Sequence, residues 1–149
     1  MEKSRYFASG HPEQGLETTG AMTLIDTNIL IELFKGNDGV LHELETIAPQ
    51  NIALSAVTAM ELYCGALNKL EMQRIKKSLA SFHLQHVTQN ISERSIELIT
   101  RYAKSHGLQI PDAIIAATAM ELSTPLFTFN TKDFRFIDGL QLYTSPIAT

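Results

Sequence analysis

Four acidic residues sit where an isolated carboxylate is awkward to keep. Asp26 closes the short apolar run of Thr23, Leu24 and Ile25. Glu61 falls in the first turn of the helix expected after a second apolar run, residues 52–54. Asp112 follows Pro111 at the opening of a strongly apolar helix, and Asp133 comes just after Asn130, behind a further apolar run at residues 126–129. In an open parallel α/β sheet, strand C-termini and helix N-termini share one edge, and ligands bind there. Four acids from distant parts of the chain would therefore meet. Carboxylates gathered in one place repel, so some must hold a proton or share a cation. An all-oxygen set suits Mg²⁺ or Mn²⁺, which accept carboxylates and keep several waters. A cation held this way acidifies its water and offsets charge building on a phosphoryl oxygen, and two can clamp the attacking and leaving oxygens of an in-line displacement. Phosphodiester hydrolysis is the leading chemistry.

Each acid also has a plainer use. Thr58 and Glu61 have the spacing of a capping box. Asp112 is favoured beside a helix N-terminus by the dipole, the segment from Asn130 to Asp133 fits a capped turn, and Asp26 fits an N-cap. Asp112 is the hardest to treat so, because its helix is apolar almost all round and an unpaired carboxylate there is expensive. The plainer uses leave unexplained why all four fall on one edge.

The elements that must position these acids follow from alternating short apolar runs and helical periods, the pattern of an α/β chain with a parallel sheet. Strands are expected at residues 23–26, 52–54, 84–87 and 126–129, with a short fifth at 140–143. Ile29, Leu30, Leu33 and Phe34 mark a first helix capped by Thr27 or Asn28 and stopped at Gly36. A second helix runs over residues 38–47 and a third over 58–67. A fourth carries Met72, Ile75, Leu79 and Phe82 on one stripe. The fifth starts at Ser92, buries Ile96, Ile99 and Ala103, and ends at Gly107. The sixth spans 112–122 behind Pro111, a residue that costs nothing in the first turn. Residues 1–21 lack apolar periodicity and are expected to be a flexible extension, so the domain is 22–149.

The 149 residues suffice for one domain, with 44% hydrophobic and 19% charged residues as in ordinary globular proteins. No run approaches the roughly 18 apolar residues of a membrane helix, and the N-terminus does not have the form of a secretory signal. The one cysteine, Cys64, excludes an intramolecular disulfide and a cysteine zinc site and is expected to be buried filler. These features predict a cytoplasmic protein without a membrane partner. The net charge of −4 counts against a simple nucleic-acid-binding module, since phosphate neutralisation drives such binding. It does not count against a nuclease whose acids are neutralised by metal.

Local sequence then narrows the choice. The run Leu24-Ile25-Asp26-Thr27-Asn28-Ile29-Leu30-Ile31 resembles the opening strand and turn of PIN domains. The stretch from Ser55 through Glu61 to Gly65 resembles the segment that carries the second acid in VapC toxins. Ile110-Pro111-Asp112-Ala113-Ile114-Ile115-Ala116-Ala117 resembles the third, and the run from Leu126 through Asn130 and Asp133 to Phe134 looks like the closing motif. The likeness is ordered and covers residues 23–143. It implies a three-layer α/β/α fold with a mainly parallel sheet of four to five strands. It also implies a metal-dependent endoribonuclease, the toxin of a toxin–antitoxin pair. Asp26 and Asp112 would ligate the metal, Glu61 would ligate through water or position the nucleophile, and Asn130 or Asp133 would complete the site. Thr27, Asn28 and Thr128 would hydrogen-bond the carboxylates or the scissile phosphate. A homodimer and a cognate antitoxin protein are implied as partners, beside the RNA substrate.

Among the basic residues, Lys132 and Arg135 lie beside the expected site and are better placed for phosphate contacts than Lys69, Arg74, Lys76 and Lys77, which suit a solvated helix face. His83 and His86 have no partner at metal-ligand spacing. A phosphoaspartate hydrolase would need a second Asp where Asn28 stands, and a receiver domain would need one at the end of the third strand. The alternative that survives is a catalytically weak PIN scaffold acting by RNA or protein binding.

Overall fold

The computed structural model describes residues 22–145; the expected extension, residues 1–21, lies outside them. Four short strands form one parallel sheet in the order β3-β2-β1-β4. They are β1 (Thr23–Ile25), β2 (Ile52–Ser55), β3 (His83–Gln85) and β4 (Leu126–Phe127). The helices α1 (Thr27–Phe34) and α2 (Asp38–Ile47) link β1 to β2. Helices α3 (Ala56–Cys64) and α4 (Lys69–Leu79) link β2 to β3. Helices α5 (Gln89–His106) and α6 (Ile110–Leu122) link β3 to β4.

Strand residues alternate between two faces, and two cores result. Leu24, Ala53 and Leu126 pack with Leu98, Tyr102, Ala113 and Ala116 of α5 and α6. Ile25, Ile52, Leu54 and Phe127 pack with Leu30, Leu33, Leu44, Leu62 and Ile75 of α1 to α4. The result is the expected three-layer α/β/α sandwich. Each large side chain so buried contributes roughly 1.5–3 kcal/mol. The connections place α1–α4 on one face and α5–α6 on the other, so the winding reverses between β1 and β4. The expected fifth strand reduces to a single parallel bridge between Leu142 and Leu126. Behind it the Tyr143 hydroxyl donates to Glu43 of α2 at 2.6 Å.

Several expectations shift. Asp26 itself caps α1, because the chain leaves β1 still extended there, and Thr27 and Asn28 are the first helical residues. Helix α3 starts at Ala56, capped by Ser55 at the end of β2, whose Oγ accepts from the Val57 N–H at 3.1 Å. Thr58 is thus not a cap, and Glu61 lies in the second turn. Strand β3 sits one residue earlier than expected, and β4 is two residues shorter. Helix α5 begins at Gln89 on a Thr88 cap and buries Ile91, Ser95, Leu98 and Tyr102. Ile96 is 62% exposed, because the helix turns Tyr102 and Leu98 inward. The α4 stripe is turned into the core at Ile75, Leu79 and Phe82, leaving Met72 outside. Cys64 is exposed, since α3 packs through Thr58, Ala59 and Leu62. Gly107 adopts φ +70 to end α5, a conformation that costs other residues about 1 kcal/mol or more. Among the described residues no helix is long and apolar enough to cross a membrane.

The buried face of α5 is testable in urea. Leu98→Ala is expected to cost about 2–5 kcal/mol, whereas Glu97→Ala, on the exposed side of the same turn, should stay within about 0.5 kcal/mol.

Candidate active site

Asp26 is placed by the sheet itself. Its backbone N–H donates to the Phe127 carbonyl at 2.9 Å, so β1 and β4 fix the residue at the point where the winding reverses. Its side chain is nearly fully buried, and both oxygens are occupied. Oδ1 accepts from the Thr27 N–H at 2.8 Å, and Oδ2 accepts from the Thr128 hydroxyl at 2.7 Å. Thr128 is held in turn. Its Oγ1 accepts from the Asn130 N–H at 3.0 Å and, more weakly, from Asn28 Nδ2 at 3.4 Å. Asn28 Oδ1 accepts from the Phe129 N–H at 3.3 Å. The start of α1 is thereby laced to the segment after β4. Because Thr128 accepts from two donors, its own hydrogen is directed to Asp26.

Glu61 reaches the same place from α3. The Thr27 hydroxyl donates to Glu61 Oε1 at 2.7 Å, and Thr58 Oγ1 stands 3.0 Å from Thr27 Oγ1. Thr27 therefore touches two acids, Asp26 by its N–H and Glu61 by its hydroxyl. Asp112 enters from the first turn of α6, a helix with Pro111 in that turn and without a side-chain cap from Gln109. Asp133 ends a 3₁₀ turn, Thr131–Asp133, in which its N–H bonds the Asn130 carbonyl at 2.9 Å. Phe134, buried next to it, anchors that turn to the core.

The four carboxylates share one electrostatic field. Asp112 is pushed up to about 6, by burial first and then by repulsion from Asp26, Asp133 and Glu61. Asp26 is also raised: burial outweighs the stabilising bonds from Thr128 and Thr27, and Glu61 and Asp133 add repulsion. Glu61 and Asp133 thus act electrostatically on both Asp26 and Asp112, so the four acids singled out in the sequence lie around one sheet edge. Thr27, Asn28 and Thr128 bond among them, Asn130 joins through its backbone, and Lys132 and Arg135 are exposed beside Asp133. Sequence reading missed Thr58, whose spacing to Glu61 was absorbed by the capping-box pattern. His83 and His86 are exposed on the far side of β2 from β1.

Among the described residues, no three acidic, imidazole or thiol side chains close into a ready-made ligand cluster. The carboxylates interact over longer range than direct ligation by all four would need. Mg²⁺ and Mn²⁺ ask for less: one or two carboxylates directly, with retained waters bridging to the rest. The all-oxygen donor set, strained by its own charge, fits such a cation.

An acid-lined switch point in a doubly wound parallel sheet defines a class, and the chain matches it: residues 23–140 correspond to the PIN domain family, to which this protein belongs. Within that family the likeness runs to the VapC ribonucleases. Ribonuclease VapC10 of Mycobacterium tuberculosis is 30% identical over 122 residues, 80% of this chain and 91% of that one. A toxin–antitoxin complex from Klebsiella pneumoniae contains a chain 40% identical, with a TM-score of 0.71, covering 85% of this chain and 99% of its counterpart. VapBC2 from Rickettsia felis, bound to a DNA fragment from their promoter, contains one 28% identical, TM-score 0.70, covering 82% and 97%.

The raised Asp112 has a consequence for stability. An unfolded chain releases this proton near the ordinary 3.8, the native protein near 6. Ionising Asp112 therefore weakens the fold as pH rises from about 4 to about 6, and the loss is complete above that. In EDTA, Asp112→Asn should raise the melting temperature by roughly 2–5 °C at pH 7.5, and the gain should vanish by pH 4. A gain independent of pH in thermal scans would contradict the repulsion described here.

Proposed function

We propose that the protein is an endoribonuclease, the toxin of a toxin–antitoxin pair, which hydrolyses RNA phosphodiesters with Mg²⁺ or Mn²⁺. The observation that carries this reading is the set of four carboxylates from four separated segments at one sheet edge, where burial first and mutual repulsion second lift Asp112 to about 6. The VapC relatives supply the reaction class and the neighbouring complexes supply the antitoxin partner.

In this reading Asp26 and Asp112 would hold the cation, and Glu61, with Asp133 or Asn130, would complete the site. A bound cation supplies an acidified water and offsets charge building on the phosphoryl oxygens. The protein's own part is positional. Thr128 and the Thr27 N–H hold the Asp26 carboxylate in one orientation, and Thr27 holds Glu61 so that it can orient the attacking water. Exposed Lys132 and Arg135 offer charge to RNA phosphates at the rim, which suits an acidic protein with few other ways to hold an anion. The cytosol is its place of work, where RNA and the antitoxin are both at hand.

The homodimer reading rests on a surface between α5 and α6. Val87, Ile96, Ile99, Ile110 and Ile114 line an uncharged, mainly apolar groove of about 330 Å³ there, and Ile96 and Ile110 on its rim are well exposed. Ile96→Glu is expected to convert the species seen in analytical ultracentrifugation to monomer.

The direct test is cleavage of a structured RNA pool by antitoxin-free protein, with Mg²⁺ or Mn²⁺ and with EDTA. Asp26→Asn and Asp112→Asn should each lower the rate at least about 100-fold without loss of folded structure. Lys132→Ala should raise KM and flatten its salt dependence. A folded protein that cuts under no metal, yet binds RNA, would replace the enzyme with a binding scaffold.

A further inference from the structure

Thr58 is fully buried and caps nothing, since Ser55 caps α3. Two other buried helical hydroxyls bond the carbonyl one turn back, Ser95 to Ile91 at 2.7 Å and Thr118 to Ile114 at 2.7 Å, while Ser78 of α4 bonds nothing. Thr58 instead faces Thr27 across the gap between α3 and α1, at 3.0 Å. Thr27 has one hydroxyl hydrogen, and its shorter, charge-assisted acceptor is Glu61 Oε1 at 2.7 Å. The arrangement that satisfies all three groups runs in one direction: Thr58 donates to Thr27, and Thr27 donates to Glu61. Aligned hydroxyls of this kind strengthen one another. Glu61 needs the help. It is exposed on a helix surface, with the rotamer freedom of a long side chain to suppress, whereas Asp26 is locked by the sheet.

We propose that Thr58 is a positioning residue for Glu61. By committing the Thr27 lone pair, its buried hydroxyl keeps the Thr27 hydrogen on Oε1, leaving Oε2 free to face the other carboxylates. This rests on the ribonuclease reading for its effect on rate, but the relay itself is visible without catalysis.

The test combines Thr58→Val, Thr58→Ser, Thr27→Val, Glu61→Ala and the double variant Thr58→Val/Glu61→Ala. Carbon-13 relaxation of the Glu61 side chain should show order in the parent, lost in Thr58→Val and Thr27→Val and restored in Thr58→Ser. On RNA, Thr58→Val should lower kcat about tenfold with KM within twofold, and Thr58→Ser should recover at least half of the loss. The double variant should be no slower than Glu61→Ala. Glu61 order unchanged in both valine variants overturns the relay, as does a multiplicative loss in the double variant. If Thr58→Val does not fold, Thr27→Val, on the solvent side of the relay, decides alone. A parent that shows the relaxation pattern yet cuts no RNA keeps the relay and removes the nuclease reading.

Discussion

Repulsion among carboxylates is the constraint around which this molecule is organised. Asp26, Glu61, Asp112 and Asp133 gather at the one sheet edge where strand ends and helix starts coincide, and burial there raises both Asp26 and Asp112. A chain left to minimise its own energy would move these groups apart. Here the backbone prevents it. Asp26 is fixed by the β1–β4 ladder, Asp112 by the first turn of an apolar helix, and Asp133 by a turn anchored through Phe134. The instability is local and is offset by two extensive cores, one on each sheet face. Sites that concentrate like charge in this way trade stability for affinity toward a neutralising partner, and a divalent cation is the partner of matching charge and donor preference.

Hydroxyl and amide groups divide the work of holding the acids. Thr128 and Asn28 serve Asp26 and the segment after β4, while Thr27 joins Asp26 to Glu61. Apart from the bond between the neighbours Thr27 and Asp26, these contacts join residues 34 to 102 positions apart in the chain, so the site and the tertiary fold are set by the same bonds. Membership in the PIN domain family and likeness to VapC ribonucleases support the hydrolytic reading proposed for the charge cluster. Substrate choice is left to the surface around the cluster, where Lys132 and Arg135 lie.

Much of this was legible from the chain. Asp26, Asp112 and Asp133 sit on or beside the elements that short apolar runs and Pro111 predict, and α2 has the bounds its periodicity suggests. What stayed hidden depends on three-dimensional choice. The Thr58–Glu61 spacing fits a capping box as well as a cross-helix contact, and only the position of Ser55 at the end of β2 decides between them. The α5 face was misjudged because Ile91, Leu98 and Tyr102 make as good a stripe as Ile96, Ile99 and Ala103; packing against α6 and Leu108 selects the first. Cys64 was misplaced because residue type says little about which side of a short helix faces the core.

The C-terminal segment has a further effect. Leu142 pairs with Leu126 along the outer side of β4, and Tyr143 fastens the segment to α2 through Glu43 while resting on Phe127. The amide and carbonyl on the outer side of Leu126 are therefore already hydrogen-bonded by Gln141 and Tyr143, so a polypeptide arriving at β4 finds them taken. A protein approaching β4 there meets side chains and not free backbone, and its recognition is then a matter of residue identity.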